Sequence, residues 1–144
     1  MLVRLGMGLL AAINAWWGVW ARFAPRSFFD TFPGFGHHWT AAYPPYNEHL
    51  VTDLGSTFLT LAFLLAAGAV IDQFTLRWVV LAGVGVFNTL HLAFHAGHSG
   101  ELGQVDQAAG LTTLALGVLA PLVLIGLDVL LRRRRTHSLP DRPS

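Results

Sequence analysis

The chain has 144 residues, 53% of them hydrophobic and only 12% charged, with a mean hydropathy of +0.53. Soluble domains carry roughly 25% charged residues, so the composition argues for one domain or one small bundle in a membrane. A net charge of +1 gives no basis for nucleic-acid binding, and the absence of Cys excludes a disulfide framework, a thiolate metal site and a cysteine nucleophile.

The charges sit unevenly. Seventeen residues separate Arg4 from Arg22, eighteen separate Asp53 from Asp72, and twenty-one separate Asp106 from Asp128, with no charge in any gap. The stretch Trp78–Gly100 likewise lacks Asp, Glu, Lys and Arg. A bilayer core takes about 20 apolar residues as helix, so four transmembrane helices are predicted.

The first covers about Leu2–Ala21. Arg4 ahead of an apolar run resembles a secretory signal, but the run continues through Trp16, Trp17 and Trp20, which suits an anchored helix with an aromatic belt. Asn14 near its middle is expected to bond to a neighbouring helix, worth about 0.6 kcal/mol on average. The connection Arg22–Asn47 holds eight aromatics and four prolines. It is predicted as a long aromatic and Pro-rich extracytoplasmic loop with its rings at headgroup level, or as a cap over the bundle. Pro25 suits the first position of a short helix that Gly34 and Gly36 would stop.

Helix two is predicted at about 48–71, with Asn47 as N-cap, Glu48 in the first turn, and His49, Asp53, Thr57 and Thr60 along one side. Helix three covers about 76–96 and ends at Gly97-His98-Ser99-Gly100. Helix four covers about 106–131, with Asp106 as N-cap and Asp106, Gly110, Thr113 and Gly117 on a face that admits a close neighbour. Pro121 is expected to bend it mildly. Asp128 is expected to pair with Arg132 to Arg135 just after it. Residues 132–144 then form a basic cytoplasmic tail, polar and disordered over Thr136–Ser144.

With both termini cytoplasmic, Arg4, Arg77, Arg132, Arg133, Arg134, Arg135 and Arg142 lie inside, and only Arg22 and Arg26 outside. The positive-inside rule selects that topology for a multi-pass protein of the cytoplasmic membrane. The start of helix two, the end of helix three and the start of helix four then share one depth, toward the outer face.

The chemistry-bearing stretch is Asn88–His98. On a helix, His91, His95 and His98 fall within an arc of roughly 60°. With His49 and Asp53 from helix two they form a candidate metal site, because neutral imidazole is the commonest protein metal ligand and a carboxylate can complete or orient such a site. His91 and His95 are also the first-choice ligands for a bound cofactor such as haem. His98 and Asp106 stand at the rim. The same groups can instead hydrogen-bond to one another and fix the helices. His37-His38, in the aromatic connection, can supply a further ligand if that segment folds over the bundle. The chain has no Glu-x-x-His pair for a di-iron site, no His-Glu-x-x-His for a zinc protease, no Gly-rich phosphate loop and no inverted repeat.

Ala24-Pro25, Phe32-Pro33-Gly34 and the block Asn47-Glu48-His49-Leu50-Val51-Thr52-Asp53-Leu54-Gly55, followed by His91-x₃-His95, resemble the pattern of a group of small bacterial four-helix membrane proteins of unassigned activity. That group is distantly similar to the DoxX-like families. The resemblance extends to about Gly97 and implies a four-helix membrane module, in some cases an accessory subunit of a redox enzyme. Thr52 stands where the group often has Arg, which removes a charge partner for Asp53.

The expectation is therefore an all-α, four-transmembrane-helix bundle over 1–131. Three functions stay open for it: a non-enzymatic membrane module or accessory subunit, with the His/Asp cluster at its outer end; a metal- or haem-binding redox protein using His91 and His95 with His49 and Asp53; and a small transporter with Asp53 as a proton-coupled carboxylate. The lipid bilayer is the one implied partner. A second copy of the chain or a redox complex are further candidates.

Overall fold

The structure, a computed structural model, describes residues 1–137. In chain order the elements are α1 (Leu2–Phe23), α2 (Pro25–Thr31), β1 (Pro33–Gly34), β2 (His37–His38), α3 (Glu48–Val70), α4 (Phe74–Gly97) and α5 (Gln104–His137). Four of the helices are long and apolar enough to cross a membrane. Even α1, with 22 residues, reaches about 33 Å at 1.5 Å per residue, against about 30 Å of hydrocarbon.

Local chemistry sets the starts of α2 and α3. Pro25 opens α2, where its missing N–H costs no hydrogen bond. The Asn47 side chain caps α3 by accepting from the Leu50 amide at 3.2 Å. Two of the expected caps and ends differ. α5 begins at Gln104, so Asp106 lies in its first turn, and the helix runs on through the arginines to His137. The remainder of the expected tail, residues 138–144, lies outside the described residues.

The long helices pack as two pairs, α1 along α3 and α4 along α5, which meet each other more sparingly. One half of the core, beside the start of α1, is centred on Met7, Leu65 and Leu81, and the other, beside the end of α1, on Ala21, Phe28, Val51 and Phe58. At the end where α1 starts, the Arg77 guanidinium forks onto Asp128 (Nε to Oδ2 2.9 Å, Nη2 to Oδ1 3.2 Å) and reaches Asp72 with Nη1 at 2.7 Å. This corrects the expected pairing of Asp128 with the arginines that follow it. Its partner is on α4, because the antiparallel pairing lays the start of that helix beside the end of α5. Arg4 donates to the carbonyls of Ala69 and Val70, which satisfies acceptors left open at the end of α3.

The segment between α1 and α3 is not a long irregular loop. Beyond α2 it forms a two-stranded hairpin, Pro33–Gly34 against His37–His38. Its turn residues, Phe35 (φ +57°) and Gly36 (φ +84°), both have positive φ, the type I′ geometry that matches strand twist. Phe28, Phe32 and Trp39 then fold over the end of the helices where α1 finishes. Phe28 stacks on Phe32 at 4.6 Å, and Trp17 and Trp39 meet the Phe32 ring edge-on at 5.6 and 6.3 Å. This aromatic layer caps the bundle.

Candidate functional site

Helical rotation decides which polar residues face inward. On α3 the buried residues Val51, Gly55, Phe58, Ala62 and Leu65 fall in one stripe, and His49 and Asp53 lie roughly 160° from its Val51 origin at about 100° per residue. They are correspondingly exposed, with side-chain accessibilities of 80% and 62%, and they pair with each other at 3.3 Å. On α4 the buried Val84 and the two residues His91 and His95 lie within about 20° of one line. The same helical geometry turns one expected pair outward and the other inward.

His91 and His95 line a cavity of about 400 Å³ between the two helix pairs. Its walls come from all four long helices and its roof from Phe28, Phe32, Trp39 and Tyr43. Among the described residues no Asp, Glu, Lys or Arg contributes to the lining, and the polar groups besides the imidazoles are amides, hydroxyls and the Trp17 and Trp39 indoles. Among the described residues Asn14 does not bond to a neighbouring helix as expected. It donates to the Leu10 carbonyl of its own helix at 2.9 Å and lines the cavity. Asn88 makes the equivalent bond to Val84 at 2.9 Å. A Cβ on Gly117 would stand 3.0 Å from Asn88 Oδ1, so glycine there lets the amide approach α5 closely.

The two imidazoles sit with ring centroids 4.8 Å apart and planes at 32°. Phe87 flanks the first at 5.6 Å, and Tyr43 and Phe94 meet the second edge-on at 5.1 and 5.3 Å. The Tyr43 hydroxyl donates to the His98 carbonyl at 2.8 Å and lies 2.9 Å from His95 Nδ1. Burial raises the Tyr43 pKa, so the phenol keeps its proton at neutral pH.

The cap is tied down at three further places. Asp106 Oδ1 accepts from His37 Nδ1 at 2.7 Å and from Trp39 Nε1 at 3.1 Å. His38 Nδ1 donates to the Asp30 carbonyl at 2.6 Å. The Glu101 amide donates to the Ala42 carbonyl at 2.9 Å. Beside that bond Gly100 has φ +60°, and a Cβ there would stand 2.5 Å from the Ala42 oxygen. The turn after α4 therefore requires glycine for both its conformation and its contact.

The residues expected to form one site are thus divided among four places. His91 and His95 share the cavity, His49 and Asp53 form an outward pair, and Asp106 holds the cap through His37 and Trp39. The His98 ring stacks on Phe94 at 4.5 Å, with Nδ1 donating to the Phe94 carbonyl at 3.0 Å. Among the described residues no three His, Asp or Glu side chains are grouped so as to hold a metal ion. His91 and His95, one turn apart on one helix face, are also not placed on opposite sides of a haem iron. Tyr43 and Trp39 read in the sequence only as interfacial aromatics, yet they join the cap to the imidazoles and to α5. The Pro-Gly-Phe-Gly run is the local sign of the hairpin that carries them. Comparison with protein-family models, with curated proteins and with solved structures returned no match.

Proposed function

We propose that the chain is a multi-pass protein of the cytoplasmic membrane, both termini inside, and acts as a non-enzymatic binding module. The cavity takes a small, mainly apolar molecule, and His91 and His95 meet its polar end. The observation that carries this is the cavity itself: about 400 Å³, uncharged, walled by four helices and covered at one end by an aromatic cap. Ligand sites are typically concave and apolar, with a few placed polar groups, and lie between the helices of bundles.

Membrane placement rests on the outward faces. Leu9, Trp16, Phe63, Leu90, Leu116 and Val123 are all more than half exposed, an apolar surface too extensive for a soluble monomer. The inner end gathers Arg4, Arg77 and Arg132, in keeping with the positive-inside rule. The resemblance to small DoxX-like bacterial proteins fits the same reading and extends it to an accessory subunit of a larger complex.

The visible spectrum and metal content of the protein, purified in mild detergent, test this. A colourless protein, with metal well below one per chain in wild type and in His91→Ala/His95→Ala, is expected. A Soret band or stoichiometric transition metal that disappears in the double variant would replace this reading with a redox one.

A further inference from the structure

The polarity of one of the two imidazoles, His95, is fixed by Tyr43 in the cavity roof. A tyrosine hydroxyl has one proton, and that of Tyr43 goes to the His98 carbonyl, which can only accept. The contact between Tyr43 Oη and His95 Nδ1, 2.9 Å long, then needs its proton from the ring. His95 therefore carries hydrogen on Nδ1. An apolar cavity without a carboxylate disfavours an imidazolium, so the ring is neutral and its Nε2 is a bare lone pair.

The other polar groups at the cavity do not share this constraint. Asn14 and Asn88 each commit an amide hydrogen to a carbonyl of their own helix, and each keeps a second N–H and an acceptor oxygen. Gln107 and Thr40, which also line the space, can donate or accept. Ions are poorly matched: an anion would find no Arg or Lys, and a cation no Asp or Glu. A cavity of about 400 Å³ falls within the roughly 300–1,000 Å³ of small-molecule sites. That is room for a medium-chain or compact ring-bearing lipophile.

We infer that the cavity's ligand is a neutral lipophile headed by a hydroxyl, which donates to His95 Nε2 and accepts from a neighbouring amide. This rests on the binding-module reading above and deepens it. Tyr43 is a positioning residue: by taking the Nδ1 proton into its own hydrogen bond it presents the opposite nitrogen as an acceptor. A methyl ether of the same shape fits the space but cannot supply the proton. A carboxylate brings a charge that nothing in the lining neutralises.

The test uses the full chain in lipid nanodiscs and three probes: ω-bromo-undecanol, its methyl ether and ω-bromo-undecanoic acid. Bromine quenches nearby indoles, and Trp17 and Trp39 line the cavity. The signal read is the saturable quenching that unbrominated undecanol displaces. The alcohol is expected to bind at least tenfold more tightly than the ether or the acid. His95→Phe is expected to bring alcohol and ether within twofold of each other by weakening the alcohol alone, and His95→Gln, which keeps an acceptor, to restore part of the preference. The wild-type ratio decides the matter even if His95→Phe does not fold. Equal affinities for alcohol and ether, or a preference for the acid, would overturn the hydroxyl assignment and leave the cavity a binding site. No saturable quenching by any probe would overturn the binding reading beneath it.

Discussion

Replacing Arg77 by Ala is expected to destabilise the folded bundle by about 3–5 kcal/mol, the range for removing one partner of a buried ion pair. The Arg77 and Asp128 side chains are each only 11% accessible. Both guanidinium nitrogens that face Asp128 are in use, and the third holds Asp72 at 2.7 Å. Removing the arginine leaves the Asp128 carboxylate, itself only 8% exposed, uncompensated between α4 and α5. Arg77→Lys keeps the charge but loses the planar fork, and is expected to fall between wild type and Arg77→Ala. Arg77→Leu/Asp128→Leu removes both charges and should recover much of the loss, because most of the cost is the orphaned charge and not the missing attraction. Denaturant unfolding in detergent micelles, followed by far-UV circular dichroism, measures the series. A single variant as stable as wild type would show that water reaches the pair freely.

The second large effect is expected at Gly55. A Cβ there would stand 2.5 Å from the Arg22 amide nitrogen and 2.9 Å from Ala21 C and Arg22 Cα. All three are backbone atoms of the α1 end, so they cannot yield by changing rotamer. Gly18 on the facing helix is also close, with its Cβ position 2.9 Å from the Leu59 amide nitrogen and 3.0 Å from the Gly55 carbonyl oxygen. Small residues allow such backbone contact between helices in lipid. Gly55→Leu is therefore expected to separate α1 from α3 and to cost at least the 1–3 kcal/mol typical of overpacking, with loss of probe binding because these helices form one cavity wall. Gly68→Ala is the informative contrast. Its nearest neighbour is the methyl end of Met7, a flexible group that can turn aside, so the loss should be much smaller. Unfolding curves for the two variants check both statements.

The long helices are legible in the sequence because charge-free apolar runs of membrane length seldom occur in any element except a spanning helix. Asn47 and Pro25 mark two further starts by local chemistry. Long-range pairing is not legible in the same way. His91 and His95 come together as their spacing predicts, since both lie on one helix. His49 and Asp53 do not join them, because spacing within one helix says nothing of how that helix is rotated against the next. The rotation is set by the stripe Val51, Gly55, Phe58, Ala62 and Leu65, whose alternating four- and three-residue steps stand in the sequence. Asp128 shows the same limit: the nearest arginines along the chain are not the nearest in space. The aromatic connection has more order than its composition suggests. Its Pro-Gly-Phe-Gly hairpin is held through His37 by the remote Asp106, and Tyr43 beyond it by His98, which no local pattern announces.

Native mass spectrometry of wild type and Gly110→Leu, released from detergent, bears most directly on whether the capped space between the helix pairs holds a molecule. Gly110 lines that space, and a Cβ there meets only Trp39, at 3.9 Å, so leucine can fill the volume without displacing backbone. Wild type should retain about one small apolar molecule per chain, and Gly110→Leu, with its thermal stability kept, should fly bare. Equal occupancy in the two proteins, or none in either, would contradict a binding role for the cavity.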